Sequence, residues 1–135
     1  MSTSKFKNSD KFLKNMVESA SPMQLVIMLY DGAIQWLNIA KQELKKNKES
    51  KLPNWSEFSH QMKMAHEIVN HLQESLDFKH SEDIADRLFA LYDFMKSNLI
   101  KANAFKDEEK INQVIALLKD LKTHWQDVIK QNNAV

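Results

Sequence analysis

The sequence contains five histidines and no cysteine. Histidine is therefore the first side chain to consider for binding a metal or transferring a proton. His66-Glu67 is similar to the opening of a zinc-protease motif, but the next histidine, His71, follows five residues later. At about 100° per residue, these two imidazoles would lie roughly 140° apart around a helix and could not bind one ion. The other three stand among lysines and glutamates, and we expect them to be solvated: His60, His80 and His124.

Paired carboxylates could act as general acid and base, and Glu74 with Asp77 and Glu108 with Glu109 are such pairs. Both pairs fall at predicted helix ends, where the helix dipole and capping explain acidic residues. The single glycine excludes a glycine-rich phosphate loop, and the sequence has no nucleophile elbow. We therefore predict that the protein is not an enzyme and that it binds no cofactor and no metal.

The charge balance also argues against nucleic acid as a partner. The chain has 19 Lys and Arg residues and 18 Asp and Glu residues, which gives a net charge of +1. Arg87 is the only arginine, so the planar guanidinium groups that read bases and clamp phosphates are nearly missing.

Composition instead indicates one all-α domain. The 135 residues are 43% hydrophobic and include one Gly and two Pro, which favours long helices over many turns. The polar, lysine-rich N-terminus is not followed by an apolar run long enough for a signal peptide or a membrane span. We expect a cytoplasmic protein without membrane insertion, and the lack of cysteine fits a reducing compartment.

Capping signals and apolar spacing predict four helices. The first begins after the capping hydroxyl of Ser21 and reaches about residue 46, and the second covers about 55–76. Ser81 caps the third, which reaches about residue 104, and Asp107 caps the fourth. Apolar residues spaced four and three apart predict these core positions: Val26, Tyr30, Ala33, Leu37, Ala40, Leu44, Phe58, Met62, Ala65, Val69, Leu72, Leu76, Ile84, Leu88, Tyr92, Met95, Leu99, Ala102, Ile111, Val114, Leu118, Leu121, Trp125 and Val128.

Short connections between these helices predict an antiparallel up-down four-helix bundle. We assign residues 20–131 to this bundle and residues 1–19 to a mobile N-terminal arm. An arm without any function is an equally good interpretation of its composition.

The first helix carries more apolar surface than a bundle helix needs. Its polar residues form a stripe only about 60° wide, while a bundle helix is usually apolar over a third to a half of its circumference. The excess apolar residues predict an interaction site: Leu25, Leu29, Gly32, Trp36 and Ile39 on one flank, Ile27 and Ile34 on the other, and Met28 beyond. The alternative is an irregular bundle in which this helix is central and fully covered.

Two further features belong to this flank. Gly32 costs about 1 kcal/mol relative to Ala in a helix interior, so a packing element that approaches the backbone closely would explain it. In the arm, Phe12, Met16 and Val17 could fold back over the apolar flank and act as a gate when no partner is bound.

The sequence of this region resembles the flagellar secretion chaperone FliS family. Residues 16–22 read MVESASP and residues 25–34 read LVIMLYDGAI, close to the family pattern V-x-T-A-S-P-x-x-L-x-x-M-L-Y-D-G-A-I. The resemblance continues through IVNHLQESLD at residues 68–77 and LYDFM at 91–95, and it spans about residues 12–125.

This resemblance implies a cytoplasmic chaperone with a four-helix bundle fold. Such a protein would hold the disordered C-terminal segment of flagellin on its apolar surface, prevent premature polymerisation and deliver flagellin to the flagellar type III export apparatus. The resemblance places Leu25, Met28, Leu29, Gly32 and Trp36 on the client-binding surface, and we add Ile39 from the helical spacing. It also suggests a regulatory protein partner.

Two other functions remain open from the residues alone. The first is a regulatory or adaptor bundle that self-associates through the first helix without a disordered client, whereas we expect the chaperone to be a monomer or a weak dimer. The second is a metal or cofactor enzyme built in a bundle core, for which the sequence offers no paired ligands.

Overall fold

The computed structural model describes residues 22–79 and 82–133, and these residues form four α-helices. The helices are α1 (Pro22–Lys48), α2 (Trp55–Glu74), α3 (Glu82–Phe105) and α4 (Glu108–Asn133). The predicted all-α class is confirmed, and the predicted ends lie within about two residues of the observed ones. The predicted caps at Ser21 and Ser81 and the arm of residues 1–19 lie outside the described residues.

The four helices pack as a ring rather than around one central helix. α1 packs against α2 and α4, and α3 packs against the same two helices. Consequently α1 and α3 lie on a diagonal of the bundle, and each is flanked by two neighbours. The antiparallel up-down arrangement follows from the short connections between successive helices.

Local hydrogen bonds fix the starts of two helices. The side-chain oxygen of Asn54 accepts from the backbone N–H of Glu57 at 3.0 Å and caps α2. Asp107 accepts from the backbone N–H of Glu109 at 3.1 Å and caps α4, as predicted. Each cap satisfies backbone donors that a helix end would otherwise leave unpaired.

The core lies where the apolar spacing places it, except at Val128, which is half-buried outside the core, and at Ile84. Tyr30, Phe58 and Leu118 are examples of predicted core residues that are completely buried. Ile84, however, is 53% exposed, so its prediction as a core residue is wrong. Ala85 continues the regular spacing of three and four that leads to Leu88 and Tyr92, so it is the inward position at the start of α3, and Ile84 lies about 100° away from it around the helix.

A buried hydrogen-bonded cluster joins three of the four helices. The hydroxyls of Tyr30 on α1 and Tyr92 on α3 lie 2.7 Å apart, and the indole N–H of Trp125 on α4 donates to Tyr30 at 3.0 Å. Both tyrosines are buried, so each hydroxyl needs a protein partner in place of water. We call Tyr30, Tyr92 and Trp125 the tyrosine cluster.

Candidate protein-binding surface

The six predicted binding residues lie on one flank of α1, the flank that faces α2. Two contacts establish this orientation: the rings of Trp36 and His60 meet edge to face at 5.9 Å between centroids, and Gly32 lies opposite the side chain of Ile68. Because residues three, four and seven apart share a helix face, the other predicted residues lie along the same flank. We define the α1–α2 surface as Leu25, Met28, Leu29, Gly32, Trp36 and Ile39 of α1 with His60, Met64 and Ile68 of α2.

This surface is covered only in part by the bundle. Ile39 is 40% exposed, and the other five α1 residues of the surface are half-buried. Leu29 and Trp36 also pack against the core, so they contribute to stability as well as to the surface. The prediction that α1 carries apolar area that is not fully covered therefore holds for this flank of the described bundle.

The opposite flank of α1 differs from the prediction. Ile34 is only 9% exposed and belongs to the core, and Ile27 is half-buried. Next to this flank, Lys122 of α4 forms an ion pair with Asp31 at 2.6 Å. The prediction that Ile34 belongs to the excess apolar surface is wrong, because α4 covers this side of α1.

The electrostatic character of the α1–α2 surface follows from its sequence. Between Leu25 and Ile39, α1 has a single charged residue, Asp31, and that carboxylate pairs with α4 on the other side. The α1 part of the surface is therefore uncharged over about four helical turns. Such a strip favours an apolar partner surface over a charged one.

Among the described residues, no packing element approaches the backbone of Gly32 closely. A Cβ atom built at this position would meet the Cδ1 atom of Ile68 at 3.5 Å, which is an ordinary van der Waals distance. The packing of α1 against α2 thus leaves room for an alanine, and the expected close backbone approach within the bundle is absent from the described residues.

The predicted gate lies outside the part of the chain that the structure describes. Phe12, Met16 and Val17 all precede residue 22, so their placement over the α1–α2 surface stays a prediction.

The titratable groups of the described ranges include no cluster suited to a metal ion. Within residues 22–79 and 82–133, no three His, Asp or Glu side chains cluster closely enough to hold a metal ion. Burial, helped by the nearby charge of Lys96, lowers the pKa of His66 and favours its neutral form. His66 lines an open cavity of about 350 Å³ between α2 and α3 together with Ile100.

Sequence reasoning missed further exposed apolar residues, which lie on both outer flanks of α3. Five large apolar side chains of this helix are more than 40% exposed: Ile84, Phe89, Phe94, Ile100 and Phe105. Because two neighbours flank α3 just as they flank α1, its outer flanks are also left open. Applying the helical-wheel test used for α1 to the third helix would have found these residues.

Fold and surface together define a class of protein. The protein is a four-helix bundle that leaves an apolar helix flank partly open, and such a flank is typical of helical bundles with a protein-interaction site. Within the described residues, no helix is long and apolar enough to cross a membrane.

Comparison with known proteins identifies the family within this class. The family model described as "Flagellar protein FliS" matches residues 6–132. The flagellar secretion chaperone FliS of Salmonella typhimurium is 33% identical over 116 residues, covering 86% of this chain and 82% of that protein. Its counterpart in Escherichia coli K12 is 31% identical over 116 residues, covering 85% and 81%.

A solved structure, described as a flagellar chaperone from bacteria, has the same fold. It superposes with a TM-score of 0.72 at 16% sequence identity and covers 94% of this chain and 98% of its own. The chain belongs to the FliS family of flagellar proteins. Since the relatives are flagellar secretion chaperones, this membership makes the chain a flagellar export chaperone and confirms the prediction that it is not an enzyme.

Proposed function

We propose that this protein is a cytoplasmic chaperone that binds the disordered C-terminal segment of flagellin on the α1–α2 surface. By covering that segment it prevents premature polymerisation, and it delivers flagellin to the flagellar type III export apparatus. The observation that carries the proposal is the uncharged, partly open flank of α1 in a member of the FliS family.

An apolar flank of this kind suits an amphipathic segment that becomes helical as it binds. The apolar face of such a segment would pack along α1, with side chains one helical turn apart contacting successive positions of the surface. Ordering a disordered segment costs roughly 2 to 5 kcal/mol, and burial on the order of 1,000 to 3,000 Å² typically offsets this cost. The α1–α2 surface supplies one part of that area.

The apolar character of the surface also determines the thermodynamic signature of binding. We expect a negative heat-capacity change, because apolar area leaves water, and an affinity that changes little with salt. A steep loss of affinity as salt is added would indicate charge pairing and would contradict this mechanism.

Co-expression with flagellin tests the proposal directly. We expect the chain to elute in size-exclusion chromatography as a complex with full-length flagellin and alone with flagellin that lacks its C-terminal segment. A complex with the truncated flagellin would show that this chain binds a part of flagellin other than its C-terminal segment. Absence of any complex, together with a tight homodimer of the purified chain, would favour the self-associating adaptor.

A further inference from the structure

Gly32 is the only glycine of the chain, and neither its conformation nor its packing explains why it is glycine. Its φ angle is not positive, so the backbone conformation at this position is open to any residue. It lies inside α1, where glycine lowers stability relative to alanine because the unfolded chain is more flexible. A conformational requirement is therefore excluded.

The described bundle does not require the small size of Gly32 either. An added Cβ would have one neighbour within 4 Å outside its own helix among the described residues, the Cδ1 atom of Ile68 at 3.5 Å. Because this is an ordinary contact distance, alanine would fit without moving α2. The absent side chain leaves space that faces outward on the α1–α2 surface.

The surroundings of this space give it the shape of a notch. Met28 and Trp36 lie one turn before and one turn after Gly32 on the same row of α1, and such rows form the ridges of a helix surface. Glycine interrupts this ridge between two large side chains, and Ile68 forms the wall on the α2 side. We call this gap the Gly32 notch.

We propose that the Gly32 notch receives one large apolar side chain of a helical flagellin segment, which makes Gly32 a positioning residue for the client. The inference rests on the proposed function and adds the register of the bound segment. A side chain inserted in the notch fixes where that segment lies along α1. Packing of this type, in which a side chain of one helix enters a hole on the other, is how helices interlock. The walls are apolar, so the inserted side chain is apolar as well.

Gly32→Ala tests the proposal because it should change stability and binding in opposite directions. We expect the melting temperature of the full chain to rise by about 3 °C, because alanine is the better helix former. Affinity for full-length flagellin, measured by isothermal titration calorimetry, should fall at least about tenfold because the added methyl group occupies the notch. Gly32→Leu should weaken binding further.

Ala116→Gly supplies the matched control, since Ala116 is an exposed residue inside α4 and away from the α1–α2 surface. This change should lower the melting temperature and leave the affinity unchanged. If G32A binds as tightly as the wild-type chain, the notch proposal is wrong while the proposed function stands. If G32A is less stable than wild type, this chain itself fills the notch, and the proposal is again wrong. If the wild-type chain does not bind flagellin, the proposed function fails first.

Discussion

At the scale of single residues, the tyrosine cluster shows how a few polar groups determine which helices meet. Tyr30 is its centre, because its hydroxyl contacts both the Tyr92 hydroxyl and the indole N–H of Trp125. An arrangement of the helices that separates these three side chains would leave the two buried hydroxyls without partners. The cluster therefore favours the observed ring of helices over alternative arrangements with equally apolar contacts.

Replacing either tyrosine by phenylalanine should show that Tyr30, with two hydrogen-bond partners, contributes more stability than Tyr92, with one. Tyr30→Phe removes both hydrogen bonds and should lower the free energy of unfolding by about 2 kcal/mol, whereas Tyr92→Phe removes one and should cost about 1 kcal/mol. Urea unfolding followed by circular dichroism measures both values. Equal losses in the two variants would show that the bond from Trp125 contributes nothing.

The same two hydroxyls predict a loss of stability at alkaline pH. Burial raises the pKa of both Tyr30 and Tyr92 above the ordinary value of 10.0. In the unfolded chain the tyrosines ionise near pH 10, while in the folded chain they stay protonated, so stability is full below pH 10 and falls as the pH rises above it. Urea midpoints between pH 8 and pH 11 should decline less steeply in the Tyr30→Phe, Tyr92→Phe double variant. An unchanged slope would contradict the assigned pKa directions.

Residue chemistry of this kind was only partly predictable from sequence. Tyr30, Tyr92 and Trp125 were predicted as core positions from their spacing, but their mutual hydrogen bonds depend on how three helices meet in space. Gly32 was recognised as costly in a helix, whereas its true surroundings could be judged only after Ile68 was placed opposite it.

At the scale of elements, the start of α2 depends on two linked hydrogen bonds around Asn54. The side chain of Asn54 caps the helix, and its backbone N–H donates to the buried Glu43 carboxylate of α1 at 2.8 Å. This backbone bond is the main cause that lowers the pKa of Glu43. The connection after α1 is therefore tied both to the helix it leaves and to the helix it enters.

Asn54→Ala should separate these two roles, because it removes the cap and retains the backbone donor. We expect the free energy of unfolding to fall by about 1 kcal/mol, the typical cost of losing such a cap. Asn54→Asp should restore most of this loss, since a carboxylate also caps a helix and interacts favourably with its dipole. If both variants lose the same stability, the side-chain cap is not the cause.

Helix positions were more predictable than helix exposure. Spacing and capping residues located all four helices, because the apolar period of a helix is written directly in the sequence. Exposure depends on how many neighbours a helix has, and this number is a property of the assembled bundle. For that reason the exposed flank of α1 was predicted, the burial of Ile34 was missed, and the exposed residues of α3 were not anticipated.

At the scale of the whole molecule, the ring arrangement explains why apolar surface remains open at all. Each helix packs against two neighbours, so a helix with a broad apolar arc keeps part of that arc outside the core. α1 and α3, which lie diagonally across the bundle, both keep apolar side chains outside the core. The α1–α2 surface carries a long uncharged strip. The exposed Ile100 of α3, in contrast, lies beside a cavity that is lined by the charged residues Asp93, Lys96 and Lys101.

The central claim is that the α1–α2 surface binds the flagellin C-terminal segment, and calorimetric titration of that segment into the full chain tests it most directly. Ile39→Asp adds a charge at an exposed position of the surface, so we expect the variant to stay folded and the affinity to fall at least about tenfold. Leu52→Asp is the control, because Leu52 is 94% exposed in the connection between α1 and α2 and lies outside the surface. Circular dichroism and urea midpoints check that both variants remain folded. An Ile39→Asp variant that is folded and binds with wild-type affinity would contradict the account.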